Sequence, residues 1–324
     1  AVDQVENEMI QGMVKAFPQY VKKLDCGNVV VRTQKKEGKV ALISGGGRGH
    51  EPAHGGYVGR GMLDAAVAGA VFTSPTPDQV YEGIKAIATD AGVLMVIKNY
   101  TGDVMNFEMA GEMAEAEGIK VAQVVVNDDV AVQDSTWTVG RRGVAGTVFV
   151  HKIAGALAET GAGLEDVQAM AQRVINNVRT MGAAISPCTI PAAGKPGFEI
   201  ADDEMEVGIG IHGEPGTYKE KMMSADAITD IILDKILGDL DYTGSEVAVM
   251  VNSSGATPQM ELFIINNHVA DVLAAKGIKV YKTFVGEYMT SIEMEGMSIS
   301  LLKLDDDMKK LLDAQADTPA FKQL

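Results

Sequence analysis

Between about residues 39 and 160 the chain alternates short apolar runs with longer periodic ones, and this pattern constrains the fold more than any other feature. KVALIS, AVFTS, VLMVIKN and VAQVVVND read as strands with helical segments between them. Such spacing builds a largely parallel sheet covered by helices. Two long helices, about 144 to 160 and 163 to 182, lead to a boundary near Ser186-Pro187-Cys188-Thr189-Ile190-Pro191. Beyond it MEVGIGI, EVAVMVNS, KVYKTFVG and SISLLKL read as strands, with helices near 223 to 238 and 258 to 274. The expected fold class is α/β in two domains. Residues 1–184 form a larger three-layer α/β/α domain with a mostly parallel sheet, and residues 185–324 form a smaller α/β sandwich.

With 324 residues, each domain is large enough to bury a core of its own. A net charge of −16 argues against binding nucleic acid or an anionic membrane through broad electrostatics. Only Cys26 and Cys188 are present, which points to a reducing cytosol rather than a disulfide framework. No apolar run approaches a bilayer span, and AVDQVENEMIQGMVKAF lacks the regions of a signal peptide, so a cytoplasmic location is expected. Met9, Ile10, Met13, Val14 and Phe17 fall at helical spacing, and the helix they predict ends at Pro18.

Directly after Val40-Ala41-Leu42-Ile43 comes Ser44-Gly45-Gly46-Gly47-Arg48-Gly49-His50-Glu51-Pro52-Ala53-His54. Its glycines let the backbone approach a ligand, while two histidines and a glutamate add donors, acceptors and a group that titrates near neutrality. Open α/β sheets place ligands where a strand meets such a loop. A tight turn with packing histidines also fits these residues. His50-Glu51-x-x-His54 spells the zinc-protease pattern, which must lie within a helix. Here a glycine run precedes it, Pro52 falls inside it and Gly55-Gly56 follows, so no bound metal is expected. The third strand ends in Lys98-Asn99-Tyr100-Thr101-Gly102-Asp103, before a helix rich in methionine and alanine. Strand ends that face helix N-termini are a ligand platform.

A second loop follows Met205-Glu206-Val207-Gly208-Ile209-Gly210-Ile211-His212. A strand here would put Met205, Val207, Ile209 and Ile211 on one face. The other face would carry Gly208, Gly210 and His212, a bare patch of backbone beside an imidazole. A histidine capping a strand is the plainer alternative. Gly208-x-Gly210-x-x-Gly213 also matches the dinucleotide fingerprint, but Pro215 and Gly216 stand where its helix should begin. No phosphate-binding G-x-x-x-x-G-K-[ST] loop and no kinase signature occurs, so phosphoryl transfer would need a nucleotide brought by another chain.

SGGGRGHEPAH, FTSPTPDQV, VIKNYTGD, VVVNDDVAVQDS, GRRGVAGTV, CTIPAAGKP and GIGIHGEPG together resemble the dihydroxyacetone-binding K subunit of phosphoenolpyruvate-dependent dihydroxyacetone kinases. NSSGATPQMEL and MTSIEMEGMSISLLKLDDD extend the resemblance, which runs from about residue 40 to 306. It implies that His212 binds the ketone of dihydroxyacetone covalently as a hemiaminal, that His50 contacts the substrate hydroxyls, and that Asp103 is the base. Gly47 and Lys98 would line the same pocket. For Asp103 the alternative is a helix N-cap.

The resemblance further implies a homodimer and no cofactor on this chain. ATP/ADP and Mg would sit on a partner subunit, recharged by a phosphotransferase-system donor, and the product would be dihydroxyacetone phosphate. Arg48 departs from the serine common in such loops, placing a guanidinium that could meet phosphate, stay solvated or obstruct the usual contacts. Arg141-Arg142 fits either a partner's phosphates or a structural turn. Family paralogues that bind dihydroxyacetone as transcriptional coactivators supply the alternative function, a sensor that captures ligand without transfer.

Overall fold

The computed structural model describes residues 1–133 and 140–324. The chain forms an α/β fold in two compact units, one of residues 1–126, 148–175 and 307–324, the other of residues 127–147 and 176–306. In the first unit the strands are β1 (Val21–Lys23), β2 (Val29–Arg32), β3 (Ala41–Arg48), β4 (Ala65–Val71), β5 (Val93–Lys98) and β6 (Val121–Val126). They form one sheet in the order β1-β2-β4-β3-β5-β6. β4, β3, β5 and β6 run parallel, while β1 and β2 add an antiparallel edge. Ala41, Ile43, Val93, Met95 and Ile97 alternate onto one face and bury against Val80 and Phe107. These last two residues come from α2 (Pro77–Ile87) and α3 (Thr101–Ala116).

The N-terminal helix is α1 (Val5–Ala16), and it stops two residues before Pro18, which disfavours helical backbone in the residue before it. Ile10 is its buried anchor, and Glu6 accepts a hydrogen bond from the Val71 amide at 3.0 Å. α4 (Thr147–Glu159) and α5 (Leu164–Asn177) follow later in the chain. Among the described residues no helix is long and apolar enough to cross a membrane.

The second unit holds β7 (Val178–Ala184), β8 (Glu204–Val207), β9 (Tyr218–Lys221), β10 (Glu246–Ser253), β11 (Lys279–Gly286) and β12 (Gly296–Leu304), in the sheet order β11-β10-β12-β7-β8-β9. Only β10 and β11 are parallel neighbours, so this sheet is mixed. Val247, Val249 and Val251 alternate into a core with Ile299 and Leu301. α6 (Ala225–Asp239) and α7 (Gln259–Ala275) add Ile232 and Leu262 to it.

Four expectations change. The first strand does not end at the glycines: β3 continues through Gly45–Gly47 to Arg48, with an irregular register against β4 after Gly46. The strand expected at AVFTS begins earlier, at Ala65, and ends before Phe72, whose φ is 54°. The helix expected to reach 182 stops at Asn177, because Val178–Ala184 pairs as β7 with β12 and β8. That pairing places β7 in the second unit. Finally, MEVGIGI is a strand only to Val207, where Gly208 takes a φ of 72° and turns the backbone away.

Candidate functional site

In the first unit the side chains singled out by sequence gather at the ends of β3 and β5. Lys98 closes β5 and is fully buried, and Asp103 is the third residue of α3, 2% exposed. Gly46 is where they meet. A Cβ there would lie 3.1 Å from the Lys98 Nζ and 3.3 Å from the Asp103 Oδ2, so an ammonium and a carboxylate both rest on its bare α-carbon. Lys98 Nζ also lies 5.4 Å from the centre of the Tyr100 ring, within range of a cation–π contact. Burial pushes the Asp103 carboxyl above its usual range, against the opposing pull of Lys98 and of a hydrogen bond with Ser74. The Asp103 Oδ1 has no hydrogen-bond partner among the described residues. Asp103 is not the helix N-cap, a position held by Tyr100.

His50 is fully buried and stacks on Phe72 with ring centres 5.2 Å apart. Gly47 presses its backbone against that segment: a Cβ would fall 2.5 Å from the Thr73 nitrogen and 2.6 Å from the Phe72 Cα. Neither backbone atom can rotate aside. Gly47→Ala is therefore expected to destabilise the protein by about 1–3 kcal/mol, read as a lower midpoint of thermal or denaturant unfolding. An unchanged midpoint would show that the 72–73 segment yields without cost.

Residues 51–54 form turns followed by a short 3-10 segment at Gly55–Tyr57, so His50 and His54 do not share a helix face. His54 turns instead to His151 of α4, with Nδ1 and Nε2 2.9 Å apart. Burial, aided by the Lys98 charge, pushes His151 down to about 3 and His54 well below its ordinary value. Both imidazoles are neutral at pH 7. Sequence reasoning missed this pair because His151 lies in the apolar run TVFVHKIAGALAE, where nothing marks it off from core. Among the described residues no group of three His, Cys, Asp or Glu side chains could hold a metal ion.

Arg48 is 3% exposed, so it is not a solvated side chain. Its Nη1 donates to the Gly69 carbonyl at 2.6 Å, and burial lowers its pKa. It lines a cavity of about 410 Å³ with Gly46, Gly47, His54 and the α1 residues Met9 and Met13.

His212 belongs to the second unit, on the irregular segment after β8, and is half-buried. Its backbone amide donates to the Glu214 Oε2 at 2.7 Å. No helix follows Gly213: the chain turns into β9, so the dinucleotide fingerprint lacks the helix that it needs. Arg142, buried in the same unit, donates to Asp129 at 2.7 Å, to the Gly208 carbonyl at 2.9 Å and to Glu214 at 3.1 Å. Burial raises Asp129 to about 6 although Arg142 pulls it down. Arg141 points elsewhere and pairs through two nitrogens with Asp239 of α6. Of VVVNDDVAVQDS, the last two residues lie outside the described part of the chain.

The Dak1 domain matches residues 11–320. The chain is 56% identical over 314 residues to a subunit from Listeria innocua named "PTS-dependent dihydroxyacetone kinase 1, dihydroxyacetone-binding subunit DhaK", covering 95% of each. Among solved structures it is similar to the "Dihydroxyacetone kinase operon co-activator Dha-DhaQ", with a TM-score of 0.93 at 34% identity and 98% of each chain covered. It is similar too to the dihydroxyacetone kinase of C. freundii, with a TM-score of 0.93 at 35% identity, covering 100% of this chain and 59% of that one. The chain belongs to the Dak1 domain family, within its group of dihydroxyacetone kinase DhaK subunits.

Proposed function

We propose that this chain is the dihydroxyacetone-binding subunit of a phosphotransferase-system-dependent dihydroxyacetone kinase. The observation that carries the reading is the joint burial of Lys98 and Asp103 against Gly46. A carboxylate whose proton affinity is raised by burial, beside a fixed cation, is suited to take a proton from a substrate hydroxyl. The 56% identity to a subunit of that name supports the substrate class.

In this reading an imidazole nitrogen of His212 adds to the ketone carbon. A C–N bond forms, the carbonyl π bond opens to a hydroxyl, and the proton displaced from the imidazole balances that hydroxyl. The three-carbon substrate is then fixed in place. Glycerol has no carbonyl and is refused by chemistry rather than by shape. Asp103 accepts the proton of the terminal hydroxyl as it attacks the γ-phosphoryl group, with His50 on the substrate hydroxyls and Lys98 and Gly47 lining the pocket.

ATP and Mg belong to a partner subunit, recharged by a phosphotransferase-system donor, and the chain works as a cytoplasmic homodimer without nucleic acid or membrane. The first unit is taken as a three-layer α/β/α domain with a mostly parallel sheet and the second as a smaller α/β sandwich. A sensor that captures dihydroxyacetone without transfer is the second reading, favoured by the likeness to the co-activator.

The deciding experiment combines intact-mass detection of the dihydroxyacetone adduct with an assay for triose phosphate in the presence of an ATP-loaded partner subunit. Adduct with turnover is the expected result. Adduct without turnover from any such partner selects the sensor, and no ligand capture overturns both.

A further inference from the structure

We infer that Arg142 and Glu214 form a clamp that positions the His212 loop, an inference that rests on the reading of His212 as the capturing nucleophile. All three nitrogens of the Arg142 guanidinium are used. Nε donates to Asp129 Oδ2 at 2.7 Å, Nη2 to the Gly208 carbonyl at 2.9 Å, and Nη1 to Glu214 Oε1 at 3.1 Å. The other oxygen of Glu214 accepts the His212 amide at 2.7 Å. One planar cation therefore grips the loop on both sides of the histidine, once by a carbonyl four residues before it and once through a carboxylate two residues after it. A guanidinium suits this geometry because its donors are rigid and coplanar. The clamp is screened from water: the side chains of Arg142, Asp129 and Glu214 are 4%, 2% and 9% exposed.

The glycine spacing of GIGIHGEPG now has a different cause. Gly210 was expected to leave bare backbone for a small ligand, yet the protein's own side chains occupy that space. A Cβ at 210 would lie 1.6 Å from Glu214 Oε1 and 2.6 Å from Arg142 Nη1. Gly208, at a φ of 72°, leaves β8 and offers its carbonyl to Arg142. Gly210 makes room for the clamp, and the positive φ of Gly208 marks where the chain leaves the strand and meets it.

A nucleophile on an irregular segment must be held close to its productive geometry if addition to a ketone is to be fast and tight. The clamp does this without touching substrate, so Arg142 and Glu214 are positioning residues. Two measurements test it, made on wild type, Arg142→Ala, Glu214→Gln, Gly210→Ala and the control Arg141→Ala. The control removes the Asp239 pair of the same unit and leaves the His212 loop bonded as before.

The first measurement is hydrogen exchange of segment 208–216 in ligand-free protein, which needs no capture activity. The second is the dihydroxyacetone concentration that gives half-maximal adduct by intact mass. In Arg142→Ala and Gly210→Ala, exchange is expected to quicken at least about tenfold and the half-maximal concentration to rise by about the same factor. Gly210→Ala matters because both charges remain. Glu214→Gln has a single acceptor oxygen, so with its carbonyl on the His212 amide its NH2 faces the Arg142 donors. One arm of the clamp is lost, and exchange and capture are expected to shift in the same direction as in Arg142→Ala, by a smaller factor.

Arg141→Ala is expected to lower the unfolding midpoint with capture unchanged. Equal losses of capture in Arg141→Ala and Arg142→Ala, in step with their unfolding midpoints, would overturn the clamp, as would wild-type exchange and capture in Arg142→Ala. Failure of wild type to form an adduct would remove the His212 reading instead, and the exchange data would still decide whether the loop is clamped.

Discussion

His212→Ala is expected to form no dihydroxyacetone adduct and to lose about 10²-fold or more in kcat/KM when supplied with an ATP-loaded partner, because the substrate returns to a freely diffusing pose. Only the side chain changes; the amide that donates to Glu214 remains, so the loop keeps its bond and the unfolding midpoint stays near that of wild type. A loss of activity with an intact midpoint isolates the imidazole. The same variant should also lose discrimination. Wild type is expected to select against glycerol, which has no carbonyl to trap, and without the trap the ketone and the triol differ only in weak contacts worth about 1–3 kcal/mol. Intact mass and paired kinetics with the two substrates check this. An adduct that persists in His212→Ala would place the capturing group elsewhere.

Much of this was legible in the residues. EVAVMVNS and KVYKTFVG became β10 and β11 at their expected bounds, since each alternates or runs apolar between clear turn signals. Lys98 and Asp103 were readable as neighbours because a strand end and the next helix start lie side by side in a parallel sheet. Other features depend on tertiary partners that local pattern does not encode. Glycines read as loop formers, yet Gly45–Gly47 stay in β3, where Gly45 and Gly47 let neighbouring backbone come within distances that any Cβ would block.

Val178–Ala184 continues a helical pattern and becomes β7 only because β12 and β8 are there to pair with it. His151 is invisible inside an apolar helix until His54 is found against it. The adjacent arginines Arg141 and Arg142 look equivalent in sequence, but one is tied to α6 and the other to the His212 loop. Such differences arise from which direction each side chain leaves the backbone, and composition carries no trace of them.

Asp103→Asn should reduce kcat with the wild-type fold retained, by about 10²- to 10⁴-fold, the usual contribution of a positioned general base. Asparagine keeps the shape of the side chain and can still meet Ser74, while it has no lone pair basic enough to take the hydroxyl proton. The N-cap alternative makes a different forecast. Because Tyr100 holds the cap and Asp103 lies inside the first turn, loss of the charge costs the helix no more than about 0.3–1 kcal/mol of dipole interaction. A large kinetic loss therefore belongs to the base, while any stability loss beyond that figure reports the buried Lys98 left without its counter-charge.

The pH profile supplies an independent check. Burial raises the pKa of Asp103, so the base is protonated and inactive below that raised value and ionised above it. The acid limb of wild-type kcat/KM is expected above the ordinary aspartate value of about 3.9, falling as pH falls, and it should vanish from the residual activity of Asp103→Asn. His151, held at about 3, is already neutral across that range and cannot produce the limb. Turnover in Asp103→Asn equal to wild type would remove Asp103 from proton transfer and leave it as the counter-charge of Lys98, which is the role its position over Gly46 would then have to explain.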